Sequence, residues 1–351
     1  MHPVRKPLVA LFLLGTSVVT FAHLLGSCRR YPDLSRLQAL QQEVPTGFPV
    51  PAYRFQDNPL TKEGFELGRK LFYDNRLSTD GYHDCGSCHQ QVAAFGTYDH
   101  DLSHGIEDTH TLRNAPVLFN LAWYRFFHWD GQFGSFEAEA AHPLNDPIKM
   151  GGNFNFVINR INGDADYRRR FREVFGSAFI RPEFVMKALA QFTGSLTSAN
   201  SKYDRYRRGE TSFTPEEQRG YLLFQTKCAT CHPEPLFTDD RFHNIGLPLD
   251  PRLSDFGRMR ITGNRDDSLK FRTPTLRNVF ASANYMHDGR FGTLGQVLNH
   301  YRFGIQAGPT LDPLLTGGIV LTGTETLEVI AFLRTLTDSA FLANPRYGPP
   351  G

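Results

Sequence analysis

Four segments carry apolar residues at helical spacing, and they come in two matching pairs. The pattern G-x-x-L-F occurs in GRKLF (68–72) and again in GYLLF (220–224), each on an apolar face that repeats with the helical period. The pattern F-x-x-x-L-T occurs in FTGSLT (192–197) and in FLRTLT (332–337). The helix holding GYLLF has a clear start: Thr214 can cap, Pro215 suits the first helical position and Glu217 closes a capping box. Pro182 and Glu183 start the helix that ends in FTGSLT, and Thr324 and Glu325 start the one that ends in FLRTLT. No segment alternates convincingly at the strand period. The spacing therefore predicts a mainly α fold with long loops, one of them NRLSTDGYHD (75–84). The repeated order of helix, intervening segment and closing helix predicts two duplicated domains in tandem, 55–203 and 204–345, joined near SKYDRYRRGE (201–210) and preceded by a linker, 29–54.

Composition adds little to this and removes one class of partner. The 351 residues are 40% hydrophobic and include 30 Phe, which describes a globular chain with an aromatic core. With a formal charge of +2 and no long basic run, nothing suggests a nucleic-acid partner. Residues 1–28 read as an export signal, with Arg5 and Lys6 ahead of an apolar run from Leu8. Its ending, Leu25-Gly26-Ser27-Cys28, resembles the lipobox of bacterial lipoproteins, which implies a lipid anchor on Cys28. A plain N-terminal membrane anchor is the alternative, weakened by Gly15, Thr16, Ser17 and His23. Both readings put the body of the chain outside the cytoplasm, in the periplasm or on the outer side of a bacterial membrane.

The remaining four cysteines fall in CGSCH (85–89) and CATCH (228–232). C-x-x-C-H is the attachment signature of a c-type haem: two thiols add to the vinyl groups of one porphyrin edge, and the next histidine reaches the iron. A shared zinc ion is disfavoured by the distance between the pairs along the chain. Disulfides suit an oxidising compartment but leave unexplained why a histidine follows both pairs. The motifs predict two covalently bound c-type haems, with His89 and His232 as proximal ligands.

The segments TLRNAP (111–116), WDGQ (129–132), PLNDPIKM (143–150), FRTPTLRNV (271–279), YMHDGRFGTL (285–294) and VLNHY (297–301) give the chain a resemblance to the bacterial dihaem cytochrome c peroxidase and MauG family over nearly all of residues 55–340. The resemblance implies two cytochrome c-like domains. The N-terminal haem would be the peroxide site and the C-terminal haem would take and store electrons. Trp129 would carry electrons between them. It further implies a calcium ion held by the Asn114 side chain and by backbone carbonyls at Ser282 and Asn284. At the sixth position of the second haem, Tyr301 matches the MauG-like branch, where the other branch has methionine; Met286 and Met259 are the fallback ligands. A phenolate favours oxidised iron, whereas a thioether raises the potential. The implied partners are H2O2 and a small c-type cytochrome, another periplasmic redox protein or a protein substrate.

Two family positions depart from the pattern. The distal histidine of the other branch falls on Gly105, with His104 one residue short. The distal glutamate, in a P-x-E-M context, falls on Lys149, with Pro143, Pro147 and Met150 in register. An ammonium cannot accept the proton that bound peroxide must lose. Lys149 could be a base of depressed pKa. It could instead pair with Asp146 or a haem propionate while Glu139 or His142 moves the proton. Or the protein could be a dihaem electron-transfer or redox-sensing protein with weak peroxidase activity. Glu139 stands where MauG-like proteins place a polar distal residue.

Overall fold

The structure, a computed structural model, describes residues 36–351. The expected signal segment and Cys28 lie outside the described residues. The first helices are α1 (Lys62–Phe72), α2 (Cys85–Cys88), α3 (Phe136–Asn145), α4 (Phe154–Asn162), α5 (Ala165–Phe175) and α6 (Pro182–Thr193). They are followed by α7 (Lys202–Arg207), α8 (Pro215–Lys227), α9 (Met259–Thr262), α10 (Leu294–Asn299), α11 (Gly323–Arg334) and α12 (Ser339–Leu342). Strands β1 (Phe242–His243) and β2 (Phe271–Arg272) form an antiparallel pair with Phe242 opposite Arg272. Long irregular segments connect these elements, as expected. No helix among the described residues is long and apolar enough to cross a membrane.

The buried side chains form two main clusters. Phe65, Phe72, Phe95 and Phe192 belong to the first. Tyr203, Phe224, Phe237 and Phe332 belong to the second. The repeated sequence patterns explain why. A Cβ at Gly68 would stand 2.0 Å from the Ala188 carbonyl oxygen and 2.9 Å from Cβ of Phe192. A Cβ at Gly220 would stand 1.9 Å from the Glu328 carbonyl oxygen and 3.1 Å from Cβ of Phe332. In each half the glycine is where the first helix meets the closing helix, α1 on α6 and α8 on α11. Each glycine lies four residues before a phenylalanine of the same helix, which stacks on the partner helix. Phe72 lies 5.2 Å from Phe192 and Phe224 lies 5.0 Å from Phe332, centroid to centroid. Offset and tilted aromatic pairs of this kind stabilise a core beyond their buried area.

The caps agree with the expected starts at α8 and α6 and correct one at α11. Thr214 and Glu217 close a capping box, and Pro182 and Pro215 occupy first-turn positions. The cap of α11 is Thr322 and not Thr324: its hydroxyl accepts from the Glu325 amide, and the Glu325 carboxylate accepts from the Thr322 amide. A capping box needs the carboxylate three positions after the cap, with two residues between, and only Thr322 has that spacing.

A buried ion pair anchors the joining segment against the second cluster. Arg277 is 1% exposed and donates to both oxygens of Asp204 at 2.9 and 2.8 Å. Asp204 belongs to α7, in the expected joining segment, where it also completes a capping box with Ser201. Phe341 and Tyr347, close to the end of the chain, pack in the first cluster.

Candidate dihaem site

Each C-x-x-C-H motif is held at the end of a helical turn. Asp84 caps α2 by accepting from the Ser87 amide, and the His89 amide closes the turn on the Cys85 carbonyl at 2.9 Å. The His232 amide does the same on the Cys228 carbonyl at 3.0 Å. Spacing of three residues in a helical turn puts both thiols on one face. All four are unpaired thiols. Burial pushes Cys85 up to about 12, and Cys228 likewise to about 12.

The histidines are oriented by one repeated device. Nδ1 of His89 lies 2.9 Å from the Phe95 carbonyl oxygen, and Nδ1 of His232 lies 2.9 Å from that of Phe237. A carbonyl only accepts, so Nδ1 carries the hydrogen and Nε2 keeps a free lone pair. Burial also depresses both imidazole pKa values, which favours the neutral, ligating form. Phe95 and Phe237 have left-handed backbones (φ +59° and +55°) and fully buried rings. That conformation is costly for a bulky residue and persists when packing dictates it. The sequence reading missed both phenylalanines; the signal available was one Phe shortly after each motif.

A cavity of about 510 Å³ opens beside the second motif, lined by Cys228, Cys231 and His232 with apolar walls including Leu294, Leu298 and Val329. Paired thiols, an imidazole lone pair and an apolar slot are the donor set a covalently attached haem requires, so the residues fit the group. Tyr301 lines the same cavity, inside a π-helical turn at His300–Gly304. Such turns often mark functional positions. Burial, helped by the neighbouring Cys228 and Cys231, raises the Tyr301 phenol above its ordinary pKa. Met286 also lines this cavity, whereas Met259 lines a separate one with Arg265 and Gln306.

The cavity continues past Trp129, Asn114, Ser282 and Asn284 to Gly96 beside the first motif. The structure thus brings together all four residues expected between the two sites. The Trp129 indole donates to the Asn114 carbonyl at 2.9 Å, and the Trp129 carbonyl accepts from the Arg272 amide at 2.6 Å. Arg113 flanks this bond: it donates to Asp130 at 2.6 Å and to both oxygens of Asp255 at 2.6 and 2.9 Å. Oδ1 of Asn114 and the carbonyl oxygens of Ser282 and Asn284 accept no hydrogen bond from the described residues. Three free oxygens on one cavity fit a hard cation such as calcium.

On the side of the first motif, Lys149 is half-buried and lies 3.7 Å from Asp146, which also lies 3.7 Å from His142. Burial lowers the Lys149 pKa, while Asp146 and Glu139 work to raise it. Glu139 stands on α3, where Pro143 interrupts the helix and cannot donate to the Glu139 carbonyl. Oε1 of Glu139 lies 2.9 Å from Nε2 of His128, and Oε2 is buried without a partner. His128, absent from the sequence reading, stands next to Trp129 with a left-handed backbone at φ +66°.

His104 lies apart from this cluster. It bonds Asp108 at 3.1 Å and packs between His100 and His110, both at 4.3 Å between ring centroids. At Gly105 a Cβ would meet the Ile148 carbonyl oxygen at 1.8 Å. That carbonyl already accepts from the Ile106 amide at 3.1 Å and the Thr109 hydroxyl at 3.0 Å. A histidine at 105 is therefore incompatible with this docking of the two loops.

Residues 62–212 match the family model for di-haem cytochrome c peroxidase. The methylamine utilization protein MauG of Methylorubrum extorquens is 35% identical over 311 residues, covering 87% of this chain and 85% of that protein. The chain belongs to the di-haem cytochrome c peroxidase and MauG family. A cytochrome-c peroxidase, IdrP1, of Denitromonas iodatirespirans is 31% identical over 363 residues, 94% of this chain and 93% of that one. Among solved structures, a MauG-like protein associated with microbial copper homeostasis superposes with a TM-score of 0.81 at 35% identity, covering 89% of this chain and 99% of that one. The family is a two-haem family of oxidoreductases.

Proposed function

We propose that the protein is a periplasmic dihaem peroxidase of the MauG-like branch, which uses H2O2 to oxidise a small c-type cytochrome or a protein side chain. The observation that carries this reading is the cavity that runs from the second haem cradle past Trp129 and Asn114 to Gly96, on the side of the first motif. In this reading residues 55–203 hold the peroxide-reactive haem on Cys85, Cys88 and His89. Residues 204–345 hold the electron-storing haem on Cys228, Cys231 and His232, with Tyr301 as its sixth ligand. Bound haem would supply the iron that takes up peroxide and the electrons that break its O–O bond.

The chain's own groups do the rest. Carbonyl-held histidines fix the proximal Nε2 atoms. Trp129, clamped at its indole and at its carbonyl, lies between the two sites in one orientation. Asn114, Ser282 and Asn284 would hold calcium beside it. The relatives named cytochrome-c peroxidase support a cytochrome as reductant, and those named MauG support a redox protein substrate. Residues 1–28 would direct export, with Cys28 as lipid anchor.

Stoichiometric H2O2 added to the diferric protein tests the reading. Its haem bands should change, and reduced cytochrome c should then be consumed. If neither happens, the peroxidase reading fails. The Lys149–Asp146 pair favours a second reading, a dihaem electron carrier or redox sensor, since it places an ammonium where the family has a proton acceptor. That protein would cycle reversibly with a reductant and ignore peroxide.

A further inference from the structure

We infer that the proton acceptor of the first haem has moved from position 149 to Glu139, and that His128 is the positioning residue that presents it. The inference rests on the peroxidase reading above and goes beyond it by assigning the acid–base group.

The geometry carries it. Glu139 and Lys149 belong to one cluster: His128, which meets Glu139 at 2.9 Å, packs on His142 at 4.8 Å between centroids, and His142 and Lys149 share Asp146 at 3.7 Å each. The Ile148 carbonyl next to Lys149 accepts from the Ile106 amide, and the His104 carbonyl of that loop lies 3.7 Å from Sγ of Cys88, which brings the cluster to the first motif. Of the two, only Glu139 has an acceptor to spare. Its Oε2 is buried with no hydrogen-bond partner, which is costly unless something is to occupy it. Its Oε1 is taken up by His128 at 2.9 Å. His128 adopts its left-handed backbone at φ +66°, and its ring packs on His142 and Phe133 at 4.8 and 5.2 Å between centroids. A strained, ring-packed histidine gives the carboxylate one orientation, with one oxygen held and the other free.

Lys149 takes the complementary part. Tied to Asp146 at 3.7 Å, it has burial acting to lower its pKa and the charges of Asp146 and Glu139 acting against that. The proton bookkeeping is simple. H2O2 gives one proton to Oε2 of Glu139, and the same proton returns to the outer oxygen, which leaves as water when the O–O bond breaks; the two electrons for that cleavage would come from the bound haems, and the carboxylate is regenerated with no net proton gained or lost.

Cyanide tests this without turnover. At neutral pH it is present as HCN and must lose its proton to bind ferric iron, whereas imidazole binds as a neutral ligand. The diferric holoprotein and its variants are mixed with each in stopped flow. Glu139→Gln should slow HCN association by roughly 100-fold, the scale of a lost general base, with imidazole binding unchanged. His128→Asn, whose residue tolerates the left-handed backbone, should slow it to an intermediate degree. Lys149→Met should slow HCN association far less than Glu139→Gln does, because it removes no proton acceptor. The absorbance of the second haem reports that each variant is folded. Wild-type HCN rates in Glu139→Gln, or a large loss confined to Lys149→Met, would overturn the inference. No cyanide binding by the wild type would instead overturn the peroxidase reading on which it rests.

Discussion

Replacing Gly220 by alanine drives a methyl group to 1.9 Å from the Glu328 carbonyl oxygen, where ordinary contact begins at 3.4 Å. The obstacle is helix backbone, with Cβ of Phe332 at 3.1 Å behind it, so no side chain can rotate away. Relief requires α8 and α11 to separate by about 1.5 Å at their crossing. A gap of ~1 Å already forfeits up to about half of a contact's dispersion energy. Phe224, Val329 and Phe332 all depend on that crossing. Overpacking in a filled core costs about 1–3 kcal/mol, and the rigid obstacle puts this case near 3 kcal/mol. At roughly 2 °C per kcal/mol for a chain of this size, Gly220→Ala should lower Tm by about 6 °C. Gly323→Ala is the control: it stands in the first turn of α11 with nothing within 4 Å. It should be neutral or stabilising by up to ~1 kcal/mol, since alanine loses less backbone entropy. Thermal unfolding of the holoprotein, followed by far-ultraviolet circular dichroism and by haem absorbance, measures both. A Gly220→Ala variant melting within 1 °C of wild type would refute the close-crossing account of G-x-x-L-F.

Asp204→Asn leaves the buried Arg277 guanidinium without its counter-charge and should cost about 3–5 kcal/mol, measured by denaturant unfolding, far more than removing an exposed pair such as Arg181–Glu183. His243 lies 2.9 Å from Asp239 and 2.5 Å from Asp312, and these carboxylates, Asp239 foremost, raise its pKa above 6.5. Its ion pairs therefore stabilise the fold fully below about pH 6.5 and are lost as pH rises through the raised folded value; His243→Gln should flatten the pH dependence of Tm above pH 6.5, and an unchanged slope would exclude the effect. Tyr301→Met exchanges a phenol for a thioether on the second haem cavity and should raise that haem's reduction potential in a spectroelectrochemical titration; no shift would remove Tyr301 as ligand.

How much could be read before the fold was known depends on how local the chemistry is. Haem attachment needs two thiols and an imidazole within one helical turn, so CGSCH and CATCH predict it without any knowledge of the fold. The helices were legible for the same reason, because caps such as Thr214 and Glu217 act within a turn. The Thr324 reading failed where two hydroxyls compete and only the three-residue spacing of the capping box decides. Gly68 and Gly220 were visible as a repeat, but their purpose was not: the carbonyls that exclude a side chain belong to Ala188 and Glu328, on helices far along the chain. The phenylalanines that hold the haem histidines were hidden too, since they act through backbone oxygen atoms, which any residue could supply. His128 escaped because nothing in the sequence shows a left-handed backbone or a carboxylate eleven residues downstream turning back to meet it.

The odd lysine therefore needs its surroundings to be understood. Read alone, Lys149 is a lost carboxylate and argues against peroxide chemistry. In the fold it faces Asp146, while the carboxylate on α3 keeps one oxygen free and one on His128. A glutamate at 149 would face Asp146 with Glu139 also nearby, three carboxylates with no ammonium among them, and like charges so placed resist ionising together. The lysine removes that repulsion and sets an ammonium beside the two carboxylates that remain. Positions 139 and 149 are thus coupled by electrostatics, and a substitution at one is interpretable only with the residue at the other.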